Sequence, residues 1–553
     1  MADIQVSAFT ALLEAVALSG LQGTLRFSAA ALLPQFLAYF IVQYALIKLY
    51  RLAIFPHFVS PLRHIPGPKD GHILIGQMKN LLSENTPVGR FVKWGNDYPN
   101  QPFIRYFDFA NKEMLMVNTP EAHKELLQTY CYDFVKPAIL FRYVGDVIGR
   151  GLVFAEGATH KKQRRILLGI FSVPNLKRIL PVIQDKAAEV TGLIESQLGE
   201  DGKGFIEVVG TYSRATIDVV GLTVLGVNLG NLVSTDPKMN FLKYYERVFE
   251  PGYLGAFIMA LNLAIPGVRK FIPLDANTSH IRATQEIRSM ILGVVRQRIH
   301  DTGGVSEMLS LPGGSADLLS LLIEERKNLA LKNSEDVMPE EEIVNQMLTF
   351  LAAGHETTAA SMSWSLYALA TAPAEIQDKL RAEVMEMLAN RPSSNPTWGD
   401  IEGMHYLRNF CHEVLRLYCP ATLTYREAAS DLTLCGTFIP KGTNVIFVPA
   451  VVNRSKAVWG ADADEFNPDR WDNLQGEAAG PYAFESFSSG PRFCIGKHFA
   501  VMEYKSLLIE AVSKFRFGTS PQLEALGGKM PELQNPGIAL RARGGIRVGV
   551  ERI

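Results

Sequence analysis

The stretch FSSGPRFCIGKHFA, residues 487–500, decides how this chain is read. It sets one cysteine, Cys494, just ahead of an apolar helical pattern that begins near Lys497. The flanking glycines, Gly490 and Gly496, permit φ > 0 and the close approach of another group. Pro491 stiffens the turn. A helix N-terminus aimed at the sulfur stabilises an anion and lowers a thiol pKa. A loop that offers backbone N–H groups to a thiolate suits a metal ligand. Arg492 keeps its charge under all conditions and is placed to bind an acidic group of the same ligand.

The other four cysteines, Cys131, Cys411, Cys419 and Cys435, are widely spread and form no CxxC pair. That usage suits a reducing compartment, with the thiols buried as small apolar side chains. The chain carries 55 basic and 56 acidic side chains, a balance that gives no reason to expect nucleic acid as a partner. A hydrophobic fraction of 47% is enough for a large core and argues against a disordered chain.

Working towards the N-terminus, the 21 residues 27–47 contain no charge. At helical rise such a run spans a bilayer core of roughly 30 Å. It is too long for a signal-peptide core, and Pro34 inside it is tolerable in a membrane helix. Lys48, Arg51 and Arg63 follow, which places the remainder on the cytosolic side. Residues 5–23 are also apolar but interrupted by Glu14, so the segment 1–26 is expected to form either a second membrane-associated stretch or an interfacial one. Residues 48–69 contain Pro56, Pro61, Pro66 and Pro68 and are expected to be a stiff, non-helical hinge. Residues 70–553 then form the body.

Within the body, DTGGVSEMLSLPGGSAD (301–317) reads as a surface loop. After it, Pro339 suits a first helical position and Glu340, Glu341 and Glu342 suit the positive end of a helix dipole. The pattern runs unbroken to Ala372, about 50 Å by helix rise. It is apolar all round, which marks a helix at the centre of a core. A membrane span is excluded by His355 and Glu356, which would sit near mid-bilayer. Further helices are expected at 174–199, 207–226, 278–300, 374–390, 403–418 and 497–514. Strands are expected at 103–106, 113–118, 432–439, 443–449 and 546–550. The fold class is therefore mainly α with small β-sheets.

The pattern Phe487-x-x-Gly490-x-Arg492-x-Cys494-x-Gly496 resembles the haem-binding loop of the cytochrome P-450 superfamily, of the fungal microsomal type. Three further stretches resemble the same family. Ala353–Thr358, AGHETT, is similar to its oxygen-activation segment. Glu413–Arg416, EVLR, is similar to its ExxR pair, and Phe466–Trp471, FNPDRW, contains Arg470, which completes a Glu-Arg-Arg cluster. On physical grounds alone, Glu413 and Arg416 share one helix face. A buried pair of this kind needs further partners, which Arg470 would supply.

The resemblance implies a cytochrome P-450 fold with a long central helix behind an N-terminal transmembrane anchor, and heme b (iron protoporphyrin IX) as cofactor. It makes Cys494 the axial iron ligand, Glu356 and Thr357 the proton-delivering pair, and Arg164, Arg426 and Arg492 the cations for the two propionates. Arg164 lies in a segment similar to the family's WxxxR, with His160 at the tryptophan position; a histidine N–H can still donate to a propionate. Family position puts Phe141, Phe350, Ala353, Leu423 and Ile538 along the substrate pocket.

The implied activity is insertion of one oxygen atom from O2 into a small hydrophobic substrate. Electrons come from NADPH through a partner flavoprotein, an NADPH–cytochrome reductase, because no GxGxxG module is present in this chain. Lys161, Lys162, Arg165 and Lys497 are candidates for its docking patch. The implied location is the endoplasmic reticulum membrane, single-pass, with a cytosolic catalytic domain. Fungal specialised metabolism (terpenoid, polyketide or alkaloid) is the expected setting. A fatty-acid or sterol hydroxylase, a haem-thiolate isomerase or dehydratase acting without a reductase, and a non-catalytic haem-binding scaffold are the alternatives. The sequons at Asn277 and Asn453 are expected to be accidental.

Overall fold

The computed structural model describes residues 2–21, 29–233, 241–249, 252–265, 267–301, 317–391, 395–535 and 539–553. Helices dominate and the strands form small sheets. The stretch 302–316 of the expected loop lies outside the described residues. Asp317, at its end, caps the helix Leu318–Leu331 by accepting from the Ser320 amide at 2.8 Å.

Glu340–Thr371 is the central helix, 32 residues long. Pro339 is its N-cap rather than its first turn, and Glu340, Glu341 and Glu342 occupy that turn. Every residue from Ile343 to Leu351 and from Thr358 to Ala370 is buried, as an all-round apolar pattern requires. Val208–Val220, Asp275–Asp301, His405–Leu417 and Lys497–Lys514 pack around it. Gly354 lets one of these come close, because a Cβ there would lie 3.0 Å from Val220 Cγ2. From the same neighbour, Thr216 Oγ1 donates to the His355 carbonyl at 2.9 Å. The helix Val208–Leu225 is itself apolar enough to cross a membrane, but most of it is buried inside the body.

The largest sheet has five strands in the spatial order Phe103–Phe107, Glu113–Val117, Asn444–Phe447, Thr424–Ala428, Phe134–Val135. Arg426 sits opposite Val445 in it. The run 432–439, expected as one strand, is a hairpin of Leu432–Leu434 and Thr437–Ile439. Its two turn residues, Cys435 and Gly436, take φ of 45° and 72°, the left-handed pair that a tight two-residue turn demands. A third sheet pairs Arg547–Arg552 with Lys203–Glu207 and Phe515–Gly518.

At the N-terminus Ala2–Leu21 is a helix packed along Ala29–Leu49. Gln43 links the two by donating to Glu14 Oε2 at 2.6 Å and accepting from Thr10 Oγ1 at 2.5 Å. Leu32–Val59 is long and apolar enough to cross a membrane. The segment 48–69 departs from the expected non-helical hinge, because it stays helical as far as Val59. Pro56 has no N–H, and the chain takes it in by widening to a π turn over Tyr50–Val59, closed by Ser60 N donating to Phe55 O at 2.8 Å. The chain leaves the helix at Ser60, whose side chain caps the short turn Pro61–His64. Asn111 donates to the Leu52 carbonyl at 2.9 Å, and Arg105 to that of Pro56, so the last helical turns are docked on the body.

Leu62 and Ile65 are buried beneath the five-stranded sheet. Removing residues 1–49 is therefore expected to leave thermal unfolding of the body near that of the parent. Leu62→Ala should lower stability by about 2–5 kcal/mol through the cavity it leaves, and melts recorded side by side check both outcomes.

Candidate active site

Burial along the central helix is interrupted between Ala352 and Thr357, where His355 alone is buried and Ala353 is exposed. An exposed alanine in a helix otherwise sealed in the core marks a cavity. Thr357 Oγ1 donates to the Ala353 carbonyl at 2.8 Å. Glu356 accepts from the Tyr245 hydroxyl at 2.8 Å. Burial raises the Glu356 pKa, while the Tyr245 bond and the Arg541 charge pull it back. Beside Glu356 lies a small cavity reached by Ser213, Ser363 and Arg541.

Cys494 is exposed, whereas Cys131, Cys411 and Cys419 are buried and Cys435 is half-buried. Gly490 has φ of 71°, and a Cβ there would fall 2.0 Å from the Leu127 carbonyl oxygen, so only glycine closes this turn. Gly496 does not use its freedom: its φ is −83°. A Cβ on it would stand 4.0 Å from Cys494 Sγ, so its smallness keeps the sulfur's surroundings open. Cys494 N donates to the Phe487 carbonyl at 2.8 Å and closes the loop. The Phe487 ring lies 5.7 Å from the Lys497 ammonium.

The expected lowering of the thiol pKa is not what the geometry produces. Although its surface is open, the sulfur lies deep in the protein, and that desolvation raises the pKa; the Gly496 amide, Arg164 and Lys497 only partly offset it. Desolvation outweighs one helix end, so a stable thiolate here needs a cation on the sulfur itself. Among the described residues no group of three or more His, Cys, Asp and Glu is placed to hold a metal ion. An ion at Cys494 must therefore bring most of its other ligands with it.

Facing this loop is a crowd of cations. Arg492 donates to the Ala155 carbonyl at 2.9 Å and pairs with Glu156, and Lys136 Nζ lies 3.6 Å from the same carboxylate. Arg164 donates to the Phe493 carbonyl at 2.9 Å and covers the Phe493 ring, and its Nη2 is buried without a partner. Arg426 donates to Thr424 Oγ1 at 3.0 Å and to the Tyr425 carbonyl at 2.9 Å. Burial and then Arg426 push Lys136 down to about 7; burial and then Arg492 push Arg426 down to about 10. His160 is buried, and its pKa falls to about 3 through burial, then Arg492, Lys136, Arg164 and Arg426. The Tyr132 hydroxyl lies 3.1 Å from His160 Nδ1. Buried cations that also repel one another, with one unpartnered guanidinium nitrogen, fit a ligand that brings two negative charges. Haem, with one axial site and two propionates, fits the residues present.

Behind the loop, Glu413 and Arg416 are both fully buried, and the pair is bidentate at 2.8 and 2.9 Å. Glu413 also accepts from Arg470 Nε at 3.0 Å, Trp471 Nε1 at 3.0 Å and the Asn467 amide at 2.9 Å. Arg416 donates onward to the carbonyls of Asn453, Ala463 and Glu465. The three expected members meet, and the charges are fully satisfied.

Phe141 stacks edge-on with Phe154 at 5.3 Å and lies under Arg150. Phe350 packs edge-on against Phe171 at 5.0 Å and is almost wholly buried. Leu423 is half-buried, and Ile538 lies outside the described residues. On the outer face Lys162 donates to the Glu335 carbonyl and Arg165 pairs with Asp336. Both sequon asparagines are buried. Sequence reasoning missed Tyr132, Lys136, Glu156 and Tyr245, because each acts on a partner brought to it only by folding. It also missed two buried carboxyls, Glu485 and Glu503; burial pushes the first up to about 8 and the second well above the usual range.

Residues 66–541 match the family model described as cytochrome P-450. Among curated proteins the chain is similar to cytochrome P-450 monooxygenase sphH of Aspergillus fumigatus, with 34% identity over 90% of this chain and 88% of that protein. It is similar to cytochrome P-450 monooxygenase FUM15 of Gibberella moniliformis, with 32% identity over 90% of each. Cytochrome P-450 monooxygenase ALT8 of Alternaria alternata is 30% identical over 84% of this chain and 86% of its own length.

Glu413→Gln removes the charge that two buried arginines share. The expected loss is about 3–5 kcal/mol, seen as a large fall in soluble, folded protein and in unfolding temperature. Unchanged thermal unfolding would show that the cluster is dispensable.

Proposed function

This chain belongs to the cytochrome P-450 family and is an oxidoreductase, and we propose that it is a membrane-anchored haem-thiolate monooxygenase with Cys494 as the axial ligand. The observation that carries this is the open Cys494 sulfur beneath a cluster of Arg164, Arg426, Arg492 and Lys136 that lacks matching negative charge. Haem, when bound, supplies the reduction of dioxygen and the transfer of one oxygen atom.

The protein's own part is positional. Cys494 is held by its amide bond to Phe487 and by the turn at Gly490. Arg164, Arg426, Arg492 and His160 hold the propionate edge through charge-assisted bonds. Thr357 and Glu356 occupy the open window of the central helix and handle protons there. With its own hydrogen committed to Ala353, the Thr357 hydroxyl turns its lone pairs to the cavity and orients a proton donor. Glu356, raised by burial, carries a proton at higher pH than an exposed carboxyl would and passes it on through water.

The segment starting at Ala29 crosses the endoplasmic reticulum membrane once, and the catalytic body lies in the cytosol, where an NADPH–cytochrome reductase supplies electrons. Support comes from the apolar helix Leu32–Val59 and from the basic residues Lys48 and Arg51 in its C-terminal part and Arg63 beyond it. The substrate is a small hydrophobic molecule of fungal specialised metabolism. Its pocket is walled by Phe141, Ala353 and Leu423, none of which offers a charge to anchor a polar group.

Cys494→Ala is expected to abolish the red-shifted Soret band of the reduced carbon monoxide complex; survival of that band would move the ligand elsewhere. Thr357→Ala should still load haem and consume NADPH, with product per NADPH falling about tenfold if roughly 1.4 kcal/mol of discrimination is lost. Hydrogen peroxide should rise in step, and Thr357→Ser should stay close to the parent. Product, peroxide and NADPH measured together decide it.

A further inference from the structure

The imidazole of His160 stands where the family pattern carries a tryptophan. An indole N–H is always a donor, whereas a neutral imidazole has one donor and one acceptor nitrogen, and something must decide which is which. His160 is buried among Arg164, Arg426, Arg492 and Lys136, and its pKa is about 3, so the ring is neutral. With the proton on Nδ1, Nε2 would present a lone pair to an incoming carboxylate, which repels it. With the proton on Nε2, the ring donates as the indole would.

The Tyr132 hydroxyl, 3.1 Å from Nδ1, is the group placed to make that choice. Its ring lies under the Lys161 ammonium at 4.5 Å and the Arg492 guanidinium at 5.3 Å. Two cations on the ring hold it in place and withdraw electron density, which favours the phenol as donor rather than acceptor. Resting on the haem assignment above, we propose that Tyr132 is a positioning residue: it donates to His160 Nδ1 and so keeps the N–H on Nε2 for a haem propionate, and the two residues together replace the tryptophan. Nothing in the local sequence signals this, because Tyr132 and His160 lie 28 residues apart and meet only in the fold.

The test is haem retention in the holoprotein, followed as transfer of haem to excess apomyoglobin from the change in the Soret band. Tyr132→Phe keeps the ring and both cation contacts and removes only the hydroxyl. It is expected to speed haem loss about fivefold, the worth of one neutral hydrogen bond. In a His160→Trp background, where no tautomer needs fixing, the same substitution should change the rate little. An equal effect in both backgrounds would overturn the proposal and assign Tyr132 to packing alone. His160→Ala separates the underlying assumption: an unchanged rate of loss would remove His160 from the haem edge altogether, and the proposal with it. Should Tyr132→Phe fail to load haem, recovery of loading in the double variant with His160→Trp supports the coupling, and failure to recover overturns it.

Discussion

The carboxylate of Glu413 has no contact with water, and five hydrogen bonds from two arginines, an indole and a backbone amide make that tolerable. An ion buried so completely is stable only while every partner stays in place. Each partner therefore fixes another part of the chain. Arg416 reaches the Asn453 carbonyl at 2.9 Å. The Asn453 side chain in turn donates to Ser486 Oγ at 2.9 Å and accepts from the Glu485 amide at 2.9 Å. Ser486 donates to the Leu415 carbonyl and closes the circuit onto the helix that carries Glu413. One residue further on, the Phe487 carbonyl receives the Cys494 amide. The cysteine loop is thus tied to a buried charge through an unbroken series of bonds, and a loop whose one regular piece is the short 3-10 turn Gly490–Arg492 gains the rigidity of the core.

On the other side of that loop the charges are unbalanced. Glu156 is the acid paired with both Arg492 and Lys136, while Arg164 and Arg426 depend on carbonyls and a threonine hydroxyl. Burial, and then the neighbouring cations, depress the pKa values of Lys136 and Arg426. The thiol of Cys494 is likewise held in its neutral form by depth. On the proposed haem assignment, both features would become favourable once a metal met the sulfur and two carboxylates met the guanidinium groups, which would link folding to cofactor capture as at metal sites generally.

Much of this was legible in the chain. The long apolar pattern ending at Pro373, the glycine-bounded Cys494 and the ExxR spacing each state a local requirement that a reader can check without coordinates. The helix expected at 207–226 followed from the same kind of periodicity and is found at Val208–Leu225, whereas the strand that carries Arg426 was absent from the strands expected from periodicity. What stayed hidden depends on residues far apart in sequence. Asn453 looked like an accidental sequon, yet it is fully buried and joins the Glu413 cluster to the cysteine loop. The prolines at 56–68 suggested a chain that had left its helix, because a proline lacks an N–H in any ladder. A π turn spares one bond and keeps the helix going to Val59, and local propensity does not reveal that choice. Gly496 was grouped with Gly490 because a glycine's reason for being small cannot be read from its letter: one needs a positive φ, the other needs empty space.

The open window of the central helix shows how the same principles produce function. Between Ile343 and Ala370 the helix is otherwise buried, so the residues from Ala352 to Thr357 other than His355 are open only because neighbours hold it without filling the gap. Thr216 does so by bonding the His355 carbonyl, and Val220 by resting against Gly354. Within that window the two polar side chains that are not buried are tethered: Thr357 to a carbonyl one turn back, and Glu356 to Tyr245 on the helix Phe241–Phe249. A hydroxyl whose hydrogen is spent has only lone pairs to offer. A carboxyl held by a phenol is kept in place beside the Arg541 charge. On the proposed function, this arrangement would present acceptors to the reacting space and keep the acid one step away, so that proton transfer would need a water to join them.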